Sequence, residues 1–360
     1  MSAGITMRVR SSSAGMHGIL PGARSVRPSA ACDEGGSVGK NRCVTESAAT
    51  RIVAVVSVFH PDTEVAVNVA AIAAQATETI VVDDGSGAGY DDARSAITAT
   101  GARLIVLEEN VGIAAALNAG VKAVELHDGD VVITFDQDSA PPAGFITALV
   151  ETLHDATRSG LEVAIVAPAT FAGVDQTGGE LANGMPEALR PIQSGMLVTA
   201  SSLRKVGLFD EGLFIDLVDV EFYLRIRAAG MASVAVRGLD LPHELGAFQS
   251  MTVLGRRVST TLSTPFRYYY RSRNRVIVTR RFRAGARRLL RQEAFRDSVH
   301  FVLATVFASR RGAFLTLLRR GRRDGRRGIT GRMPDDLRAT ASSISWRGTR
   351  VERPQPPGRS

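Results

Sequence analysis

Cysteine is nearly missing from this chain. Two cysteines occur in 360 residues, Cys32 and Cys43, both within a Ser/Gly-rich leader, which excludes a disulfide framework and a zinc site and leaves the main domain free of thiols. Long apolar runs are missing too: no stretch reaches the roughly 18 to 20 residues that span a bilayer. The leader has arginines but no continuous apolar segment followed by a cleavage site, so it reads as disorder or as an overextended start of translation. A soluble or membrane-associated protein is expected, not an integral one. Aromatic content is only 6%, yet 44% hydrophobic content over 360 residues is enough for a full core, and one large domain with appendages is the expectation.

What is plentiful is arginine, and it is unevenly placed. The net charge of +8 and isoelectric point near 10.1 come mostly from the last third of the chain, whereas residues 60–240 are balanced or acidic. A basic C-terminal surface suits nucleic acid, an anionic membrane or a pyrophosphate-bearing substrate, and charge alone does not choose among them.

Folded sequence begins at Arg51. The β-branched run Ile52 to Phe59, ending at His60-Pro61, reads as a buried strand and its exit loop. Helices are predicted over Val65 to Ala76, Asp91 to Thr100 and Gly112 to Val124, and strands over Thr79 to Val82, Arg103 to Leu107 and Val131 to Asp136. This βα alternation requires right-handed crossovers and a mostly parallel sheet, with ligands gathered at the carboxyl ends of its strands. Further helices are expected through Leu224 to Ala229 and over the apolar-rich Phe295 to Phe307.

Acids mark the strand ends. Asp136 and Asp138 close the apolar run Val131-Val132-Ile133, and side chains two apart on a strand share a face, so the pair suits one metal ion holding a diphosphate. Without such compensation their ionised forms would be costly there; the same spacing also makes an Asx-turn. Asp83-Asp84-Gly85-Ser86 ends the second strand, where accepting the imide N–H of a uracil or thymine and forming an Asp-Gly turn are compatible roles. Asp216, Asp219 and Glu221 stand at a strand-to-helix junction, where acids also cap helices; for Asp216 capping is preferred. A phosphoacceptor receiver domain would carry its acid pair after the first strand, and here the pair follows the second.

In order and spacing, Val82 to Ser86, Asn110 to Gly120 and Asp136 to Ser139 resemble a family 2 glycosyltransferase of the GT-A fold. More narrowly, Asp136-Gln137-Asp138-Ser139, Phe214 to Arg225, His243 to Gly246 and Tyr269 to Asn274 are similar to the bacterial rhamnosyltransferase branch, over about residues 52 to 332; the related enzymes end in a pattern like Gly321-x-x-Asp324-Gly325. The resemblance implies a Rossmann-like α/β domain at 51–264 and a basic amphipathic helical extension at 265–332, between a disordered leader (1–50) and a disordered tail (333–360). It also implies dTDP-L-rhamnose as donor, a divalent cation (Mn2+ or Mg2+), and inverting transfer to a polyprenyl-linked or polysaccharide acceptor in cell-envelope glycan synthesis. Two alternatives stand beside it: another nucleotide-sugar donor on the same fold, galactofuranosyl or glucosyl, and a basic nucleic-acid-binding module without catalysis.

By the same resemblance, Pro61, Asp83, Asp84, Asn110, Gly112, Asp136 and Gln137 border the nucleotide-sugar; Asp136, Asp138 and His243 engage the metal; and Gln193, Ser194, Gly195, Arg273 and Asn274 meet the acceptor. Asp219 matches the catalytic base, which takes the acceptor hydroxyl's proton in a single displacement; Val218 stands where many members have glutamate, and Glu221 is the other candidate. Asn110 is equally an N-cap, Gly195 equally a strand bulge, and Arg225 is expected to pair with acids of its own junction. The Phe295 to Phe307 helix, flanked by arginines around Arg287 and Arg310, is expected to lie at the inner face of the plasma membrane, making the protein cytoplasmic and peripheral. A helix packed on the catalytic core with a solvated basic rim is the alternative. No nucleic-acid partner is expected.

Overall fold

β-branched runs bounded by acids and glycines build the central sheet of the computed structural model, which describes residues 50–242, 248–253 and 255–351. The first half follows the predicted alternation: β1 (Ile52–Val58), α1 (Val65–Ala73), β2 (Glu78–Asp83), α2 (Asp91–Ala99), β3 (Arg103–Val106), α3 (Ile113–Lys122), β4 (Val131–Asp136) and α4 (Phe145–Arg158). These strands pair in parallel in the order β3-β2-β1-β4. Alternation along β1 explains the two-sided core: Val53 and Val55 face one apolar layer, Ala54, Val56 and Val58 the other.

The second half is more intricate than simple alternation. It comprises β5 (Val163–Phe171), β6 (Val174–Asp175), β7 (Thr177–Glu180), β8 (Pro186–Ala188), β9 (Met196–Thr199), α5 (Ala200–Val206), a 3-10 turn at Glu211–Leu213, α6 (Val218–Ala228) and β10 (Ala232–Leu241). β9 inserts antiparallel between β4 and β5, and β10 pairs parallel with β5. The six strands β1 to β5 and β10 therefore share one direction, and their carboxyl ends define one edge.

A smaller sheet and a helical layer complete the chain: β11 (Phe248–Val253), β12 (Arg256–Thr261), α7 (Pro265–Phe282), α8 (Arg287–Phe307), α9 (Arg311–Arg327), α10 (Asp335–Ser342) and β13 (Thr349–Arg350). α7 starts with proline at its first position, where the absent N–H costs nothing, and its Val278 joins the same core as the sheet. The expected disordered tail is corrected over 333–351: Met333, Leu337, Ala341 and Ile344 are buried against Tyr268, Tyr270 and Phe314, and α10 forms among them. The leader expected at 1–50 falls, apart from Thr50, outside the described residues. Among the described residues no helix is long and apolar enough to cross a membrane.

Candidate active site

The parallel register sets the acids side by side. Val58 aligns with Asp83, and Ser57 with Asp136, so the chain after β1, β2 and β4 emerges along one line. Asp136 is held from the β9 side: its amide donates to Ser194 Oγ at 3.0 Å, and its carboxylate accepts from Gln193 Nε2. Ser194 Oγ also lies 2.7 Å from Ser139 Oγ. Burial, then repulsion by the Asp138 charge, pushes the Asp136 carboxyl up to about 7, against a lowering by Arg267. Asp136 nevertheless keeps part of its surface open while Asp138 is exposed, so both are accessible at the carboxyl edge of the sheet.

Near it stands Asp219, in the first turn of α6. Burial pushes its carboxyl up to about 6, the Val220 amide at 2.7 Å lowers it, and Asp216 raises it. The charge of Asp219 in turn raises Asp136. The loop leading to Asp219 is strained: Phe214, Asp216 and Leu217 all have positive φ, at 66°, 66° and 64°, a conformation that non-glycine residues hold only where the surroundings enforce it. Here Asn274 Nδ2 donates to the carbonyls of Leu213, Ile215 and Asp216 at 2.8–2.9 Å, and Arg273 donates to those of Gly212, Leu213 and Gly331. Arg273 and Asn274 are wholly buried. This corrects the acceptor role expected of both: their donors are committed to bracing the loop that carries Asp219.

Glu221 is corrected likewise. It is wholly buried and its two oxygens bind Arg225 at 2.8 Å and Arg281 at 2.6 Å, so it ties α6 to α7 and is withdrawn from solvent. Arg225 pairs within its own junction, as expected. Gly195 serves packing: a Cβ there would sit 2.7 Å from Leu241 and 3.1 Å from Phe145, so its small size admits these core side chains in place of a sugar. Gln193 and Ser194 act on Asp136 rather than standing clear to meet an acceptor.

The nucleotide side divides in the same way. Asp83 is wholly buried, bonded to Ser86 and to Arg94 Nε at 2.8 Å, and cannot reach a base, against expectation. Asp84 accepts from the Val111 and Gly112 amides at 2.8 and 3.0 Å, so the cap of α3 comes from here and the capping alternative for Asn110 fails. Burial raises the Asp84 carboxyl to about 6. Gly112, with φ of 91°, lets Phe214 approach: a Cβ would lie 2.5 Å from the Phe214 carbonyl oxygen, which couples the α3 start to the Asp219 loop. Asn110 follows closely on Gly85, whose own added Cβ would meet the Asn110 nitrogen at 2.4 Å. Pro61 is buried beside exposed His60, and Gln137 Oε1 accepts from the Phe59 amide at 2.7 Å, joining the β1 and β4 exits. His243 lies outside the described residues.

Sequence reasoning missed three features of this edge. Arg267 binds Asp216 through two nitrogens at 2.9 and 3.2 Å; the Asp216 charge raises its guanidinium above the ordinary range, and it feels Asp136 and Asp219 as well. The arginine abundance of α7 hid it. His60, at φ 51°, stacks on Tyr90 with ring centroids 5.2 Å apart and planes 5° off parallel, an aromatic platform beside Pro61 that no spacing rule reveals. Arg332 lies close enough to lower Asp84.

A family model described as glycosyl transferase family 2 matches residues 54–175. The dTDP-rhamnosyl transferase RfbF of Shigella flexneri is 28% identical over 245 residues, 63% of this chain and 79% of that protein. Among solved structures, glucosyl-3-phosphoglycerate synthase from Mycobacterium tuberculosis with Mg2+ and uridine-diphosphate gives a TM-score of 0.39 at 17% identity, covering 60% of this chain and 88% of that one. The same enzyme with Mn2+, UDP-glucose and phosphoglyceric acid gives 0.36 at 18% identity, covering 60% and 88%. The matched segment holds the strands that end in Asp83 and Asp136, and the longer similarity extends past it: over residues 54–175 the chain is similar to the family 2 glycosyltransferases, and over a longer stretch to a dTDP-rhamnosyl transferase.

Proposed function

We propose that the chain transfers L-rhamnose from dTDP-L-rhamnose, with inversion, to a polyprenyl-linked or polysaccharide acceptor. The observation that supports a transferase mechanism most directly is the nearness of Asp136 and Asp219, each carboxyl raised first by burial and Asp136 raised further by the charge of Asp219. The donor sugar rests on the name of the 28% identical relative.

Asp219 is the base in this reading. A carboxyl titrating at about 6 is ionised at neutral pH yet basic enough to draw the proton from an acceptor hydroxyl as its oxygen attacks the anomeric carbon and the diphosphate departs on the far side. Arg267 tethers Asp216 and keeps cationic charge near Asp136 and Asp219.

Asp136 and Asp138 fit a divalent cation. Burial first, and then the charge of Asp138, raises Asp136 to about 7; a cation between the two carboxylates relieves both the desolvation of Asp136 and the repulsion, and Mg2+-type sites use one or two carboxylates plus substrate phosphates. Among the described residues no cluster of three or more ligating side chains occurs, and His243 lies outside them. When bound, such an ion supplies charge stabilisation to the leaving diphosphate.

The test is product formation from dTDP-L-rhamnose with membrane lipid extract, read by mass spectrometry, beside UDP-glucose and UDP-galactofuranose as competing donors. A rhamnosylated lipid or glycan is the expected product. Turnover of a UDP-sugar with indifference to dTDP-L-rhamnose would transfer the assignment to that donor.

A further inference from the structure

The arginine-rich helical layer carries an unpartnered face of its own. Residues 265–327 hold nineteen arginines against three acids, a charge of +16 in a chain whose total is +8. All three acids are consumed inward: Glu293 by Arg190, Asp297 by Arg271 and Arg275, and Asp324 by Tyr269 and Arg320. Apart from Arg296, which also reaches Glu293 at 3.0 Å, the outer arginines have no ion pair with an acid of their own segment among the described residues.

Two helix faces result. On α8, Phe295, Val299 and Val302 recur at helical spacing and are 70%, 43% and 65% exposed, while Arg291 and Arg288 extend the same face one and two turns toward the N-terminus. On α9, Arg319, Arg322, Arg323 and Arg326 likewise share one exposed face. Each face is turned from α7. α8 seats on it through Asp297, and α9 through Gly321 and Gly325, where an added Cβ would meet the Tyr269 and Arg273 carbonyl oxygens at 2.4 and 2.5 Å. α7 itself is bound on another side to the loop before Asp219. The two outer faces therefore lie on the side of α7 away from that loop.

We propose that this layer docks on the anionic surface of a phospholipid bilayer, α8 seating its apolar stripe among the acyl chains and the arginines of both helices meeting lipid phosphates. Exposed apolar side chains flanked by uncompensated guanidiniums are complementary to a surface that is apolar below and anionic above. Nucleic acid would use the arginines but has no place for exposed Val299 and Val302; a second copy of the chain would set +16 against +16.

Flotation of the full chain with vesicles tests this. It is expected to float with vesicles of phosphatidylglycerol and phosphatidylcholine and not with phosphatidylcholine alone, and to be released as salt rises from 0.1 to 0.5 M, where screening shortens its reach. Phe295→Ser with Val302→Ser should weaken partitioning roughly tenfold or more, and Arg319→Gln with Arg322→Gln and Arg323→Gln by roughly fivefold per arginine, both with wild-type thermal unfolding. Equal flotation of all variants, or no preference for anionic vesicles, overturns the proposal. So does a wild-type dimer in sedimentation that Phe295→Ser converts to monomer, which assigns the face to a second copy, or tighter binding to duplex DNA than to vesicles. The readout needs no turnover, so it stands or falls apart from the sugar-transfer reading.

Discussion

Asp219 and Glu221 are two residues apart on one helix, and burial gives them opposite duties. Asp219→Asn removes the base but little volume, so transfer should fall roughly 10²- to 10⁴-fold while binding of dTDP, measured by calorimetry, stays near wild type. Glu221→Gln should instead lower stability by about 1–3 kcal/mol, because Arg225 and Arg281 lose a charged partner, with turnover per folded molecule retained. Asp136 makes a pH prediction of unusual sign. Its carboxyl is raised from 3.8 to about 7, so between about pH 4 and 7 the folded chain holds a proton that the unfolded chain releases, and stability falls as pH rises through that window. Asp136→Asn should therefore melt higher than wild type at pH 8 and alike at pH 4, and added Mg2+ or Mn2+ should raise the wild-type melting temperature at pH 8 but not the variant's. The rate of transfer should drop below about pH 6 as Asp219 gains its proton.

At the scale of elements, α3 begins without a capping side chain of its own, since its N-cap is Gly112. The carboxylate of Asp84 reaches from the end of β2 to take that place, so Asp84→Ala should cost about 1–2 kcal/mol in chemical denaturation. This is also where the sequence was legible and where it was not. Periodicity and acid-terminated strands foretold β1 to β4 and the shared edge, because each element there is set by neighbours close in the chain. Asp83 and Asp84 looked alike as a dipeptide, and only the arrival of Arg94 on one and of Val111 on the other separates them. The antiparallel insertion of β9 was equally hidden, since Met196-Leu197-Val198 is an apolar run in either direction. Arg273 and Asn274 were expected to meet the acceptor; their burial depends on carbonyls at positions 212 to 216 and 331, which no local pattern announces. Gly321 and Gly325 were a signature without a reason until α9 lay against α7.

For the molecule as a whole, the boundary placed between residues 264 and 265 separates composition more than it separates structure. The described residues from Thr50 onward belong to one compact unit. Val278 and Leu290, beyond the boundary, lie in the same apolar cluster as Val53, Val55 and Phe222, and the left-handed residues before Asp219 are held by Asn274 and Arg273 from α7. Gly331 closes the circle: its amide donates to the Gly212 carbonyl at 2.7 Å, and its own carbonyl accepts from Arg273. A chain cut after Thr264 loses these donors, leaving the carbonyls of Ile215 and Asp216 unpaired and the strained loop without the contacts that enforce it, at about 1–3 kcal/mol for each buried group left unmade. Several such losses together match the 5–15 kcal/mol by which domains are stable. The fragment ending at Thr264 should therefore show no cooperative thermal transition and no dTDP binding, whereas a chain ending at Val351 should melt within a few degrees of the full chain. A cooperative transition in the shorter fragment would mean that the sheet and its helices hold the Asp219 loop unaided, and would make the helical layer the separable extension that its arginine content suggests.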